Sequence, residues 1–244
     1  MEKKKKEKKR IDKVLLKKGI ARSRERITEM IKRGSVVVNG KTISKPSYGV
    51  KKGDRVRVKH KDFPWVSRGG LKLEKLLQKW KLNVRGCVCV DVGASRGGFT
   101  HVLLKYGAKR VYAVDVGKGQ LAKEIKERKE VVSLEGTDFR ELEIEEKADL
   151  ICIDASHISL TLLLSKAKKI LKENGVLIAL VKPQFELGGI SNTKKGVVKK
   201  RESQEFALKK VKEFAERTEF KVKDLQESPV KGKKGNKEFF LLLD

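Results

Sequence analysis

The 244-residue chain predicts an α/β protein: a mostly parallel sheet with an antiparallel last strand, preceded by a small, basic α+β unit. Three observations lead there. From residue 67 onward, apolar runs of strand length alternate with amphipathic stretches of helical period, the pattern of a parallel sheet clothed by helices. Only nine residues, "SPVKGKKGN", join the last two apolar runs; a parallel crossover needs a dozen or more, whereas a hairpin does not, so the final strand should reverse. The first 66 residues carry two short helical patterns and a hairpin signal instead, with 23 Lys/Arg against 7 Asp/Glu.

Residues 1–9 read as a basic tail. Residues 10–60 form the first unit: "IDKVLLKKG" is a short helix ended by Gly19, and "SRERITEMIKRG" a second one, with Ser23 as N-cap and Ile27, Met30 and Ile31 as its apolar stripe. "VVVNGKTI" is a hairpin with Asn39-Gly40 suited to a type I′ turn, and "DRVRVKH" supplies another strand. Residues 61–66, "KDFPWV", suit a linker, although Trp65 and Val66 should pack on a neighbouring unit. The second unit spans 67–244. It opens on a helix, "SRGGLKLEKLLQKW", with Leu73, Leu76, Leu77 and Trp80 on one face. Strands are expected at 87–92, 110–115, 131–135, 149–154, 176–181, 220–227 and 237–243, and helices near 98–106, 119–128, 159–172 and 201–217.

A net charge of +28 favours polyanions, above all nucleic acid, and the first unit with its tail holds more than half of the excess. A Lys- and Glu-rich thermophilic composition is the plainer explanation of such a charge. No window approaches 18 apolar residues, and the basic start is not followed by an apolar leader segment, so the expectation is a cytoplasmic protein with no membrane contact. Cys87, Cys89 and Cys152 lie in strand-like runs at a spacing that suits neither zinc nor a disulfide framework; they are expected to be buried, reduced and inert, and no metal is implied.

"VDVGASRGGFT", residues 90–100, is a strand that ends in an acid and a glycine-rich turn before a helix. A dinucleotide fingerprint needs G-x-G-x-x-G, and the second glycine is missing. A triphosphate loop needs Lys and Ser/Thr after its last glycine, and Phe99-Thr100 stand there. Glycines at 93, 97 and 98 let the backbone approach a ligand, while the Asp91 carboxylate suits a cation better than a phosphate. Asp115 ends the next strand, where an acid can hold ribose hydroxyls, and Asp138 follows the third, where it could take an adenine amino group with Phe139 beside the ring. A ligand with a sulfonium, an ammonium and an adenosine, S-adenosylmethionine, fits this set. Lys182 and Asp154 each end an apolar strand at the edge where ligands bind in open α/β sheets, and Glu238 is a charge within an apolar strand, costly unless paired.

Two resemblances add to this. From Arg10 to Val58, "ARSRERITEMIKRGSVVVNGK" and "VKKGDRV" resemble the S-four RNA-binding domain, which implies contacts to folded RNA at Arg10, Arg22, Arg24, Lys32 and Arg33, with Arg68 added from the second unit. Nearly the whole chain is similar to the TlyA family, RNA methyltransferases often labelled haemolysins, whose catalytic part is similar to the FtsJ-like ribose methyltransferases. The matching residues are "SRGGLKL", "DVGASRGGFT", "VYAVDVGKGQL", "DASHISL", "LVKPQFE", "KGVV" and "GNKEF". The resemblance implies a seven-stranded Rossmann-like methyltransferase sheet and S-adenosyl-L-methionine as donor. It implies 2′-O-methylation of cytidine in ribosomal RNA, and a catalytic set at Lys72, Asp154, Lys182 and Glu238. The donor is expected at Asp91, Gly93, Ala94, Ser95, Gly97, Gly98, Phe99, Asp115, Val116, Asp138 and Phe139. His157, Lys118 and Arg96 depart from the family pattern outside the catalytic set.

The chemistry follows. A ribose hydroxyl attacks only once its proton is drawn off, and a lysine amine can take that proton when burial or a neighbouring cation favours its neutral form. Ribosomal RNA or ribosomal subunits are the expected partners, with no obligate protein partner evident. Two rivals stand beside this reading: a non-catalytic RNA-binding or ribosome-assembly factor, which the first unit alone would suit, and a membrane-active haemolysin, which would need an apolar span or insertion helix that the sequence does not offer.

Overall fold

A computed structural model describes residues 8–21, 23–32, 34–59, 64–188, 193–194, 196–230, 232 and 235–244. The chain divides into two compact units, Met1–Pro64 and Trp65–Asp244.

In the first unit, β1 (Lys9–Arg10) leads into α1 (Ile11–Lys17) and α2 (Arg24–Lys32), followed by β2 (Val36–Val38), β3 (Lys41–Ile43), β4 (Gly49–Val50) and β5 (Val56–Val58). β2 is the centre of a three-stranded antiparallel sheet in the order β3-β2-β5, and β1 pairs with β4. Asn39 and Gly40 both have positive φ, as a type I′ turn between β2 and β3 requires. The helical stripe and the valine strand share one core: Ile11, Leu15, Ile27, Met30, Ile31, Val36 and Val38 are almost fully buried. The Ser23 hydroxyl accepts the N–H of Arg26 at 3.3 Å, as an N-cap does.

The second unit runs α3 (Gly69–Lys79), β6 (Val88–Val92), α4 (Gly98–Lys105), β7 (Arg110–Asp115), α5 (Lys123–Lys126), β8 (Val131–Glu135), β9 (Ala148–Ile153), α6 (Thr161–Ile170), β10 (Leu171–Val181), α7 (Pro183–Glu186), β11 (Thr193–Lys194), β12 (Val197–Val198), α8 (Arg201–Arg217), β13 (Val222–Glu227) and β14 (Phe239–Leu243). Seven strands form one sheet in the order β13-β14-β10-β9-β6-β7-β8. β14 is antiparallel to both of its neighbours, and the pairs from β10 to β8 are parallel.

Strand alternation sorts the two faces. Val90, Val92, Ile151, Ile153, Leu177, Ala179, Leu241 and Leu243 join Leu163, Leu164 and Ala167 of α6 and Val211 and Ala215 of α8 in one core. Residues one step out of phase, among them Cys89, Asp91, Cys152, Ile178 and Phe240, are buried on the opposite face, where Phe99 of α4 lies 6.4 Å from the Phe240 ring. β10 starts five residues earlier than its apolar run suggests: Leu171 pairs with Ala148, then a register shift carries residues 172–175 past β9 before Val176 pairs with Leu150. Trp65 and Val66 are buried within this unit, the Trp65 indole N–H donating to Glu74 at 3.0 Å. Trp80 sits past the end of α3 and donates to Asp224 at 2.7 Å rather than extending the apolar face. Of the three free cysteines, Cys89 and Cys152 are buried, but Cys87 lies just ahead of β6 and is partly exposed, contrary to expectation.

Candidate active site

The parallel strands end at one edge of the sheet, and the reversed strand begins there. Val181, the last residue of β10, pairs with Phe239, the first of β14. Lys182 and Glu238 are therefore brought to the same edge by the antiparallel register. Glu238 precedes the strand rather than lying inside it, and β9 delivers Asp154 beside them.

These residues meet in a chain of charge. The Lys182 ammonium lies 2.6 Å from Asp154 Oδ1. Lys72, from α3, lies 2.7 Å from Glu238 Oε2 and 3.8 Å from Asp154 Oδ2. Lys72, Lys182 and Glu238 are nearly buried, and Asp154 is about one-fifth exposed. Two ammonium groups and two carboxylates balance in formal charge, which is how charges survive burial. Lys182 also donates to the Asp154 main-chain oxygen at 3.2 Å and to Ser156 Oγ at 2.9 Å.

The glycine-rich turn packs directly on this chain. Its backbone has positive φ at Gly93, Ser95 and Gly97. At Gly93 a Cβ would stand 2.8 Å from the Asp154 carbonyl oxygen and 3.1 Å from Ala155 Cα, so glycine serves both the turn and the close approach. Asp91, on β6, is 1% exposed. Thr100 donates to its Oδ2 from both the main-chain N–H (2.8 Å) and the hydroxyl (2.6 Å). Burial pushes the Asp91 carboxyl up to about 7 in spite of those two bonds, with Asp154 and Asp115 adding to the rise.

A cavity of ≈520 Å³ joins the two parts. It brings together Lys72, Asp154, Lys182 and Glu238 with Asp91, Gly93, Ala94, Ser95, Gly98 and Phe99, and also with Arg68 at the start of α3. The remaining expected donor residues lie apart from its lining. Gly97 is buried beneath the turn against Leu121. The Asp115 carboxylate already accepts the N–H groups of Ser95 and Gly117, each at 2.8 Å. Asp138 pairs with Arg140 and caps the short turn Phe139–Glu141. Val116 is 74% exposed. Phe139 is likewise outside the lining, its ring packed in the core with Val114 and Leu142.

The cavity is also lined by residues that sequence reasoning passed over: Ser67, Ser156, Gln184, Phe185, Asn236, Gly196 and Gly232. His157, read as structural or surface, lines it too, with φ +65° and its ring 4.9 Å from that of Phe185. His101 accepts the Val66 N–H at Nδ1, away from the cavity. Asn236 links segments that lie far apart in sequence, accepting the Val198 N–H at 2.9 Å and donating to the Gly196 carbonyl at 3.0 Å. No short motif carries such a contact.

In the first unit, Arg10 and Arg24 both grip the Asp12 carboxylate, at 2.9 and 3.0 Å, and Lys32 lies in the same shallow surface depression. Arg22 and Arg33 lie outside the described residues.

A mostly parallel seven-stranded sheet with a reversed β14, whose first strand carries a buried acid ahead of a glycine-rich turn, is the architecture of an S-adenosylmethionine-dependent methyltransferase. Residues 65–244 match the FtsJ-like methyltransferases and residues 9–56 the S4 domain; the chain belongs to the FtsJ-like methyltransferase family, with S-adenosyl-L-methionine as its donor. It is similar to YqxC of Bacillus subtilis, provisionally named an rRNA methyltransferase: 38% identical, covering 97% of this chain and 85% of that protein. It is also similar to TlyA of Mycobacterium tuberculosis, named a 16S/23S rRNA (cytidine-2′-O)-methyltransferase: 37% identical, covering 96% of this chain and 89% of that one. A solved structure from Streptococcus thermophilus, provisionally called a hemolysin, superposes with a TM-score of 0.76 at 40% identity, covering 97% of this chain and 88% of the other.

Proposed function

We propose that this enzyme methylates the 2′-hydroxyl of a cytidine ribose in ribosomal RNA, with Lys182 as the base. The observation that carries the reading is the Lys182–Asp154–Lys72–Glu238 chain, held against the donor turn through the Gly93–Asp154 contact. S-adenosylmethionine supplies an electrophilic methyl group on a sulfonium centre. Asp91, Gly93, Ala94, Ser95 and Phe99 would hold it. The buried acid matches a cation, the residues without or with small side chains admit it close to the backbone, and the cavity volume lies in the range of small-molecule sites. Asp115 stands behind the turn, fixing the Ser95 and Gly117 amides.

Lys182 acts in its uncharged form and takes the proton of the ribose hydroxyl as the hydroxyl oxygen attacks. Asp154 and Glu238 orient the two amines. Lys72 is fixed by Glu238 at 2.7 Å and reaches Asp154 at 3.8 Å, so it steadies the carboxylate that holds Lys182. Holding oxygen, amine and methyl in line supplies much of the rate. Arg10, Arg24, Lys32 and Arg68 are read as phosphate contacts that bring folded RNA to the enzyme, consistent with the match to the S4 domain. An assembly factor without activity would have no use for the four-charge chain beside a donor turn. A haemolysin reading finds no support in the helices: none among the described residues is long and apolar enough to cross a membrane.

The test is Lys182→Ala assayed on purified bacterial ribosomal subunits with methyl-labelled donor, the product mapped by mass spectrometry. Methylation should fall on the order of 10³-fold or more while donor affinity by calorimetry stays unchanged. Turnover retained in this variant, or label on a base instead of a ribose, would remove the assignment.

A further inference from the structure

The Lys182 ammonium donates to the Asp154 main-chain oxygen at 3.2 Å and to Ser156 Oγ at 2.9 Å, and it is ion-paired with Asp154 Oδ1 at 2.6 Å. In this state it has no lone pair with which to take a proton. When one proton leaves, two N–H groups and one lone pair remain, and one of the three directions must become the lone pair. The carboxylate oxygen and the carbonyl oxygen can only accept. The carbonyl and the ion-paired carboxylate of Asp154 therefore keep N–H groups turned toward them, and the lone pair falls along the Ser156 direction. Ser156 is also the only one of the three partners that can both accept and donate.

Ser156 is placed there by its loop. Asp154 and Ala155 are pinned from below by the glycine turn, through the Gly93 contact. On the other side, His157 takes φ +65°, a region that non-glycine residues seldom enter, and its ring packs on Phe185 at 4.9 Å. The chain thus doubles back so that an exposed serine in the cavity lining reaches the nearly buried amine.

We propose that Ser156 is a catalytic residue that relays the proton between the ribose hydroxyl and Lys182. The inference rests on Lys182 being the base. As the ribose oxygen forms its new bond to the methyl carbon, the bond from that carbon to sulfur breaks with its electron pair left on sulfur as a neutral thioether; the O–H bond breaks and the proton passes to Ser156 Oγ, which in the same step gives its own proton to the lone pair of Lys182 Nζ. Ser156 ends as it began, a neutral hydroxyl, and Lys182 ends as an ammonium that returns its proton to water before the next cycle. No oxidant or further reactant is needed.

The experiment compares the full-length parent with Ser156→Ala, Ser156→Thr and Lys182→Ala, measuring single-turnover methyl transfer to ribosomal subunits in H2O–D2O mixtures, and donor affinity by calorimetry. Ser156→Ala should be about 100-fold slower with donor affinity unchanged. Ser156→Thr, which keeps the hydroxyl, should recover to within about threefold of the parent. The parent rate should fall with deuterium fraction along a curve, as two protons in flight require, and the residual rate of Ser156→Ala along a straight line. A Ser156→Ala rate within about twofold of the parent, a threonine variant as slow as the alanine, or a straight line for the parent would each overturn the relay. So would donor affinity falling in step with the rate, since the hydroxyl would then serve the donor. If Lys182→Ala is inactive while Ser156→Ala is normal, the relay alone fails; if Lys182→Ala stays active, the base assignment fails first.

Discussion

Asp12 in the first unit and Asp91 in the second are each about 1% exposed, yet the protein treats them oppositely. Burial would push the Asp12 carboxyl up, but Arg10, Arg24 and the Lys13 N–H outweigh it and hold it down to about 2. Burial pushes Asp91 up to about 7: the two Thr100 bonds only partly offset it, and the charges of Asp154 and Asp115 add to the rise. Among the described residues Asp91 has no cationic partner. A buried acid that the fold has already neutralised is part of the scaffold. One left without its cation, in the wall of a cavity, is suited to a ligand that brings one. The two units divide accordingly: in one the buried acid is held by two arginines of its own, in the other it lines a cavity with no cationic partner among the described residues.

Replacing the waiting acid should have the larger effect. Asp91→Asn keeps the shape and the Thr100 contacts but cannot carry charge. Donor affinity by calorimetry should fall roughly 100-fold, the cost of removing one member of a buried charge pair. The variant protein without donor should be no less stable than the parent at pH 8, where the parent must keep Asp91 ionised and unpaired. An unchanged donor affinity would mean that the acid and its cation do not meet.

How much of this contrast could be read in the chain differs between the two acids. Asp91 was legible, because a strand, an acid and a spaced set of glycines are contiguous and the absence of a second fingerprint glycine and of a P-loop lysine excludes the phosphate ligands. The strands were legible for the same reason: apolar alternation is local, and the nine-residue connection forces the reversal of β14 that delivers Glu238. Asp12 was not legible. Its partner Arg24 lies twelve residues on, and only the packing of α1 against α2 brings them together. Arg10 and Arg24 read as free phosphate contacts in the sequence, whereas each is half committed to an internal carboxylate. Ser156 was missed likewise: its bond to Lys182 spans 26 residues and depends on the positive φ of His157, which no residue type announces. The packing of Phe139 was not legible either: the turn capped by Asp138 directs its ring into the core, which its place beside a strand-end acid does not announce.

Asp12→Asn tests the other side of the contrast. Since the folded carboxyl ionises near 2 and an ordinary one near 3.8, the charged pair supports the first unit above that ordinary value and loses its contribution as pH falls from 3.8 toward 2. Allowing for the water around two half-exposed guanidinium groups, the substitution should weaken local stability by about 1.5 kcal/mol. Hydrogen exchange at the α1 amides of the full chain would report this, and donor affinity should not change. A loss of donor affinity would join two acids that the comparison separates.

The mildest test leaves the sequence intact and varies pH. Asp91 in the folded, donor-free protein binds a proton below about 7, whereas the unfolded chain releases it near 3.8. Between these values the folded state holds more protons, so Asp91's contribution to stability falls as pH rises through the window and levels off above about 7. A cationic donor reverses the preference, since it is attracted to the ionised acid. Donor binding below pH 7 must expel the proton, so the dissociation constant should weaken by about tenfold per unit of falling pH and stay flat above it. Calorimetry in buffers of different ionisation enthalpy should register close to one proton released per donor bound near pH 6. Asp91→Asn should flatten the curve, and Asp12→Asn should leave it unaltered, because the Asp12 carboxyl is fully ionised throughout that range. A parent curve already flat across pH 6 to 8 would indicate that Asp91 keeps its proton when the donor binds. The buried acid would then act as a hydrogen-bond donor, and the cation would need another partner in the cavity.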